Sequence, residues 1–301
     1  MTVLTRRQFA ILPAAALAAE AIAMPGSAQP ASPPITRAIP ATGEPLPAVG
    51  LGTAAVFDSD DETTRQKASA VLQALVGNGG RLIDTASTYG DAEPVLGETI
   101  AAAGLRDKLF IATKLESPDA AELGRSLSRL QTRKVDLLQL HNVSDPRQSL
   151  AAFKDWKAQG LCRYIGITST FHGAFPAVEA VLPREKPDFV QVDYSIEDRE
   201  AEKRILPLAA DNKCGVLTAL PFGRGRLFRA VHGQTLPDWA SVFAGSWAQF
   251  FLKYLIGNPT VTAVIPGTAS AAHMIDNLGA MRGPLPDPDQ RQRMVQLIEA
   301  L

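Results

Sequence analysis

Four side chains stand where they could together reduce a carbonyl. Asp84 follows Leu82-Ile83, and Tyr89 comes five residues later. Lys114 closes the run Leu109-Phe110-Ile111-Ala112-Thr113, and His141 closes Asp136-Leu137-Leu138-Gln139-Leu140. One polar group after an apolar run is weak evidence, because strand ends often carry such residues. The four together make a coherent machine. Carbonyl reduction needs a proton donor for the developing alkoxide while hydride reaches carbon. Tyrosine, with an ordinary pKa near ~10, donates poorly unless a cation stabilises its phenolate. Lys114 would be that cation, Asp84 would hold the ammonium, and His141 would hydrogen-bond the substrate oxygen and set its angle. Tyr89 is then the general acid. The hydride must come from a cofactor, since no side chain provides one.

These residues need elements to carry them. Residues 48–53, 81–84, 109–114, 135–141, 164–168, 189–192, 215–220 and 261–266 are nearly continuous apolar runs, as parallel strands buried on both faces require. Helical patterns lie between them. Residues 63–77 place Ala68, Val71, Leu72 and Leu75 at helical spacing before Gly77-Asn78-Gly79-Gly80, and 246–256 end at Gly257-Asn258-Pro259. Alternating strands and helices fit a closed barrel or a doubly wound sheet. No G-x-G-x-x-G follows the first strand, which counts against a Rossmann domain, and no repeat of solenoid period occurs. The expected fold is therefore α/β, a single-domain (β/α)8 TIM barrel with its reacting groups at the C-terminal strand ends. Paired carboxylates or metal ligands, which a barrel hydrolase or metal site would want there, are not evident.

The first 28 residues are set apart from that domain. Arg6-Arg7 precedes an apolar run from Ala10 to Ala23, and Gly26-Ser27-Ala28 follows. Basic residues, a short apolar run and a small-residue cleavage site are the signature of export. Thr5-Arg6-Arg7-Gln8-Phe9 resembles the twin-arginine signal, so residues 1–28 are expected to direct the chain to the periplasm or otherwise out of the cytoplasm. Residues 29–34 read as a linker and 35–301 as the barrel. Arg6, Arg7 and Glu20 fall in the signal, so 30 basic and 31 acidic side chains become 28 and 30 in the mature chain. A charge this small, with no basic run, argues against nucleic acid or an anionic membrane surface as partner. No later segment is long and apolar enough for a membrane span. Cys162 and Cys214 are expected to be free and buried.

Several motifs resemble the aldo-keto reductases from Ile35 to the last helix. Gly50-Leu51-Gly52-Thr53, after a hairpin-like stretch from Arg37 to Pro47, is similar to the family's first strand. Asp84-Thr85-Ala86-Ser87-Thr88-Tyr89-Gly90, followed by Glu98, is similar to its Asp-to-Tyr segment. Ser126-Leu127-Ser128-Arg129-Leu130 leading to His141 resembles the approach to the family's His, and Gln159 to Ile167 the approach to strand five. The resemblance implies reduction of an aldehyde or ketone with NADPH or NADH, NADPH being favoured, and the roles given above to Asp84, Tyr89, Lys114 and His141.

For the cofactor, the resemblance implies contacts from Thr168, Ser169, Gln191, Pro221, Gly223, Gly225, Thr268, Asp276 and Asn277. Here the chain departs from the pattern. The usual Ser-Asn after strand five is Thr168-Ser169, which loses an amide. Ala219 stands where many members stack an aromatic on the nicotinamide. Gly267 and His273 stand where cations often hold a 2′-phosphate. Pro221-Phe222-Gly223-Arg224-Gly225 suits a loop whose N–H groups cover the pyrophosphate. After His141, Asn142 to Ser144 lead to Asp145-Pro146, read as a helix start, so an open mouth accepting varied carbonyls is expected. Phe57, Trp156 and Phe171 are expected to be packing aromatics. The alternative is an exported nucleotide-binding sensor or accessory subunit with little turnover. A monomer is expected, since no apolar stripe suggests an obligate partner.

Overall fold

The computed structural model describes residues 32–301, so the export signal expected at residues 1–28 lies outside the described residues. The chain opens with an antiparallel hairpin, β1 (Thr36–Ala38) and β2 (Pro45–Pro47), in which Arg37 pairs with Leu46. Eight parallel strands follow: β3 (Leu51–Gly52), β4 (Leu82–Asp84), β5 (Phe110–Leu115), β6 (Val135–Leu140), β7 (Cys162–Ser169), β8 (Phe189–Asp193), β9 (Gly215–Ala219) and β10 (Val261–Val264). Each pairs with its neighbour in sequence order. Backbone bridges Val49–Val264 and Gly52–Gly267 join the first strand to the last and close the ring. The sequence-based reading as a (β/α)8 barrel with an N-terminal hairpin describes this fold.

Period-two alternation explains how the barrel carries its site. The inward side chains near the strand starts are Leu82, Phe110, Leu137, Tyr164, Phe189, Leu217 and Ala263, and they form one apolar cluster. Ile39 and Leu46 of the hairpin join that cluster, both fully buried, and plug this end. The Tyr164 hydroxyl reaches the polar part of the hairpin, donating to Glu44 Oε2 at 2.8 Å. Two to four residues further along the same strands, the inward positions turn polar: Asp84, Lys114, Gln139, Thr168 and Gln191. The filled apolar layer is the floor on which the polar layer stands.

Outside the ring, the helices present apolar stripes to the strands. Helix α1 (Glu62–Gly77) is capped by Asp61, whose side chain accepts from Thr64 N at 2.7 Å, and buries Ala68, Val71, Leu72 and Leu75. Helices α2 (Ala92–Ala102) and α3 (Ala120–Arg129) meet at Gly97, where an added Cβ would lie 2.2 Å from Arg129 O. Beside that contact Glu93 is fully buried but satisfied. It accepts from Thr113 Oγ1 at 2.7 Å, from Ser126 Oγ at 2.5 Å and from Arg129 Nε at 2.8 Å.

One expectation about the helices fails. Asp145-Pro146 does not start a helix; α4 is Ala151–Ala158. Asp145 instead accepts from Arg147 N at 2.8 Å and pairs with its guanidinium, while Gln148 Oε1 takes the Ser144 and Asp145 N–H groups at 3.0 Å. Local side-chain bonds make a turn here and delay the helix. Cys162 and Cys214 are buried free thiols, and burial pushes the first up to about 12. Among the described residues no helix is long and apolar enough to cross a membrane.

Candidate active site

At the C-terminal ends of the strands lies a cavity of about 620 Å³. Asp84, Tyr89, Lys114 and His141 all line it: Asp84 from β4, Lys114 from β5, His141 from just past β6 and Tyr89 from a loop. Lys114 is 1% exposed, and its ammonium is fixed from two sides. It pairs with Asp84 Oδ2 and donates to the Thr85 carbonyl at 2.7 Å. Its Nζ lies 4.9 Å from the centre of the Tyr89 ring. Burial pushes the Tyr89 hydroxyl above its ordinary pKa, while the Lys114 charge pulls it back. Tyr89 therefore keeps its proton at neutral pH, with a cation placed to receive the phenolate's charge.

His141 meets Tyr89 edge to face, with ring centres 5.8 Å apart. Burial, then the Lys114 charge, lower its pKa, and Glu116 opposes them. The contact with Glu116 was not legible beforehand. Glu116 lies two residues beyond Lys114, and its Oε1 meets His141 Nδ1 while accepting from Thr88 Oγ1 at 3.2 Å. Gln139 was also missed. Its Nε2 donates to Gln191 Oε1 at 2.9 Å and to Asp84 Oδ1 at 3.3 Å. Both residues sit an even number of positions from a known inward residue on one strand, which is the signal that could have found them.

Thr168, Gln191, Pro221 and Gly225 line this cavity, as do Thr170, Arg224 and Phe228. Ser169 does not. It falls between Thr168 and Thr170 on the strand's alternation, and its hydroxyl faces Phe171 O at 3.5 Å. Gln191 is already engaged, its Nε2 lying 3.4 Å from Asp84 Oδ2. Ala54, Ala55 and Asn142, all exposed, border the cavity. Phe57 and Trp156 are core side chains and Phe171 is 71% exposed; none of the three lines it.

A second cavity of about 430 Å³ shares Phe222, Phe228 and Gly267 with the first. Thr268, Asp276 and Asn277 line it together with Ser246, Trp247 and His273. Asp276 is held by Ser246 Oγ at 2.8 Å and Gln249 Nε2 at 2.7 Å. Between the two cavities runs the turn from Leu220 to Gly225, where Leu220, Gly223, Arg224 and Gly225 all have positive φ. Gly223 borders a smaller cavity of about 180 Å³, and an added Cβ there would strike Glu197 Oε1 at 1.6 Å. Asp193 and Asp198 also border this smaller space, each 3.1 Å from His172 Nε2.

The profile of the Aldo/keto reductase family matches residues 48–299. The chain belongs to the aldo/keto reductase family. Among curated proteins it is 31% identical over 203 residues to Aldo-keto reductase YhdN of Bacillus subtilis, covering 60% of this chain and 59% of that one. It is 30% identical to Methylglyoxal reductase YeaE of Escherichia coli over 78% of this chain and 86% of the relative. Among solved structures, an aldo-keto reductase from Klebsiella pneumoniae in complex with NADPH superposes with a TM-score of 0.75 at 26% identity, covering 88% of this chain and 95% of that one. A second Klebsiella pneumoniae structure, with NADP and acetate, gives 0.73 at 27% identity over 85% and 93%.

Proposed function

We propose that this aldo/keto reductase reduces aldehydes or ketones to alcohols with a nicotinamide cofactor, Tyr89 giving the proton. The observation that carries this reading is the placement of Lys114. Its ammonium is clamped between Asp84 and the Thr85 carbonyl and stands 4.9 Å from the Tyr89 ring. A protein that only bound a nucleotide would have no use for a buried cation locked beneath a tyrosine, so the binding-only alternative is disfavoured.

The cleft suits a dinucleotide. Two cavities of about 620 and 430 Å³ share a wall, each within the usual range for ligand sites, and meet at a turn of positive-φ residues. Gln191, Thr168 and Ala219 would face the nicotinamide end, the 221–225 turn the pyrophosphate, and Phe228, Trp247, Thr268 and Asn277 the adenosine. The solved relatives hold NADPH and NADP, and this supports NADPH as the cofactor here. When bound, the nicotinamide supplies the hydride.

The chain's own groups do the rest. Tyr89 donates its hydroxyl proton to the carbonyl oxygen as negative charge grows there. Lys114 stabilises the phenolate left behind, and Asp84 keeps the ammonium from swinging away. His141 walls the site beside Tyr89 and limits the angles at which a carbonyl enters. Water at the open rim returns a proton to Tyr89 before the next turn.

The test is titration of the mature protein with NADPH and NADH, then turnover on a panel of small aldehydes with Tyr89→Phe as control. Saturable binding with turnover lost in Tyr89→Phe is expected. Tight binding without turnover in the parent protein would sink the reductase reading. We also infer export by the twin-arginine route, resting on Thr5-Arg6-Arg7-Gln8-Phe9 and the apolar run behind it. Fractionation of cells making the full chain should find it outside the cytoplasm, and Arg6-Arg7→Lys-Lys should hold it inside.

A further inference from the structure

Three side chains of metal-binding type meet at a place the carbonyl chemistry does not use. His172 opens the short turn His172–Ala174 after β7, Asp193 ends β8, and Asp198 lies in the loop beyond it. His172 Nε2 stands 3.1 Å from Asp193 Oδ2 and 3.1 Å from Asp198 Oδ2. One donor atom from each of the three lies within 4.8 Å of the others. Two atoms held by one cation at about 2.0–2.2 Å, at right or tetrahedral angles, are roughly 3.0–3.4 Å apart. The imidazole keeps that separation from both carboxylates. A single Nε2–H, by contrast, cannot point straight at two oxygens.

The backbone sets this geometry. Ser195 N donates to Asp198 O at 3.0 Å, and Asp198 N donates to Ser195 O at 3.2 Å and to Ser195 Oγ at 3.1 Å. That tight turn brings Asp198 back beside Asp193. Phe175 steadies His172, with ring centres 5.1 Å apart. Asp193 is 8% exposed and borders the cavity of about 180 Å³. Its second oxygen, Oδ1, is buried and has no hydrogen-bond partner among the described residues. An unpaired buried carboxylate oxygen is costly unless something positive or a donor meets it. Among the described residues neither aspartate pairs with a Lys or Arg. Of the two arginines lining the same cavity, Arg226 is paired with Glu197 at 2.9 Å and Arg224 is exposed.

We propose that His172, Asp193 and Asp198 bind one divalent transition cation of the zinc class, tying the loop after β7 to the loop after β8. Imidazole among the ligands selects such a cation over Mg²⁺ or Ca²⁺, which take oxygen ligands. The His172 side chain is 43% exposed, so the cation enters from solvent, and the small cavity has room for the waters that complete its shell. The site is structural. None of its three ligands lines the main cavity, although Thr170, Leu220 and Arg224 border both spaces.

The test is calorimetric titration of Zn²⁺ into the purified, tag-free protein after chelator treatment, with Mg²⁺ as control and melting curves alongside. One Zn²⁺ per chain is expected. A hundredfold excess over Kd should raise the melting temperature by about 5 °C. Mg²⁺ should do neither. His172→Ala and, separately, Asp198→Asn should each weaken Zn²⁺ binding by at least about tenfold and remove most of the melting shift. Far-UV circular dichroism checks that each variant is folded. Asp198→Asn keeps the size of the side chain, so it decides the question if His172→Ala misfolds. Zn²⁺ bound at full strength by either folded variant places the ion elsewhere and overturns the proposal. No Zn²⁺ binding to the parent protein also overturns it and leaves the three side chains an ion-pair cluster. Equal binding of Mg²⁺ would overturn the assignment to a transition cation.

Discussion

The two cavities share three residues and are built on opposite principles. The cavity at the strand ends is ionic and fixed in advance. A buried lysine is gripped by a carboxylate and a carbonyl, and that carboxylate is gripped in turn by two glutamines. The neighbouring cavity is aromatic and nearly uncharged. Phe222, Phe228 and Trp247 form its walls, with Phe222 and Phe228 ring centres 4.8 Å apart, and no Lys or Arg is among its described lining residues. Its one carboxylate, Asp276, is spent on Ser246 and Gln249. Proton transfer rewards fixed charges because reorienting them would add to the barrier. Holding a flat ring rewards apolar contact and tolerates adjustment.

If that contrast is right, damage at the ionic end should cost rate and leave nucleotide binding nearly intact. Tyr89→Phe removes the only proton donor positioned by Lys114, and kcat should fall by about a hundred- to ten-thousand-fold. Fluorescence titration with NADPH should change little in the same variant. A large loss of affinity with unchanged kcat would erase the distinction between the two ends. The next effect acts from behind the site. Glu93→Ala leaves the Arg129 charge, the Thr113 hydroxyl and the Ser126 hydroxyl without their shared partner. Arg129 is 32% exposed and water can take up its charge, so the cost is about 2–3 kcal/mol, mostly from the two buried hydroxyls, to be read by denaturant unfolding. Thr113 adjoins Lys114, so kcat should fall as well. A stable, fully active Glu93→Ala would mean that the ionic end needs no support from α2 and α3.

The same contrast explains what the sequence disclosed. Strand ends were legible because burial on both faces leaves unbroken apolar runs, and an ionisable residue closing such a run is conspicuous. Asp84, Lys114 and His141 were found that way. Gln139 points inward within β6 and Glu116 lies exposed just past the end of β5, but a Glu past a strand end and a Gln within a strand look ordinary until the cross-strand partners are known. The aromatic end left fainter traces. Phe228 and Trp247 come from different helices, and nothing in their spacing says that they face one space. Ser169 shows the reverse error, since its position in a motif suggested a contact that strand alternation turns away. Asp145-Pro146 resembled a helix start, but Arg147 and Gln148 supplied closer partners.

Smaller changes should sharpen the aromatic end. Phe228→Ala removes a 40% exposed ring that borders both cavities and packs on Phe222 and Phe251. Aromatic contacts of this kind contribute about 0.5–1.5 kcal/mol, so nucleotide affinity should weaken several-fold while kcat at saturation holds. A fall in kcat with unchanged affinity would place this ring at the reacting centre.

The finest test concerns the 2′-phosphate. His273 is exposed at the mouth of the aromatic cavity, beside Thr268 and a helix start where Ser270 Oγ accepts from His273 N at 3.4 Å. Hydroxyls and helix N–H groups can hold a phosphate without a cation, but weakly at an exposed rim. The parent protein should therefore separate NADPH from NADH only modestly. His273→Arg places a permanent, forked charge at the same point and should raise the NADPH preference by about three- to tenfold, with NADH affinity unchanged. Added salt should erase much of that gain, because the new pair is exposed. If the parent already discriminates strongly, a cation from elsewhere in the chain must reach this rim, and the aromatic cavity is less neutral in use than its lining suggests.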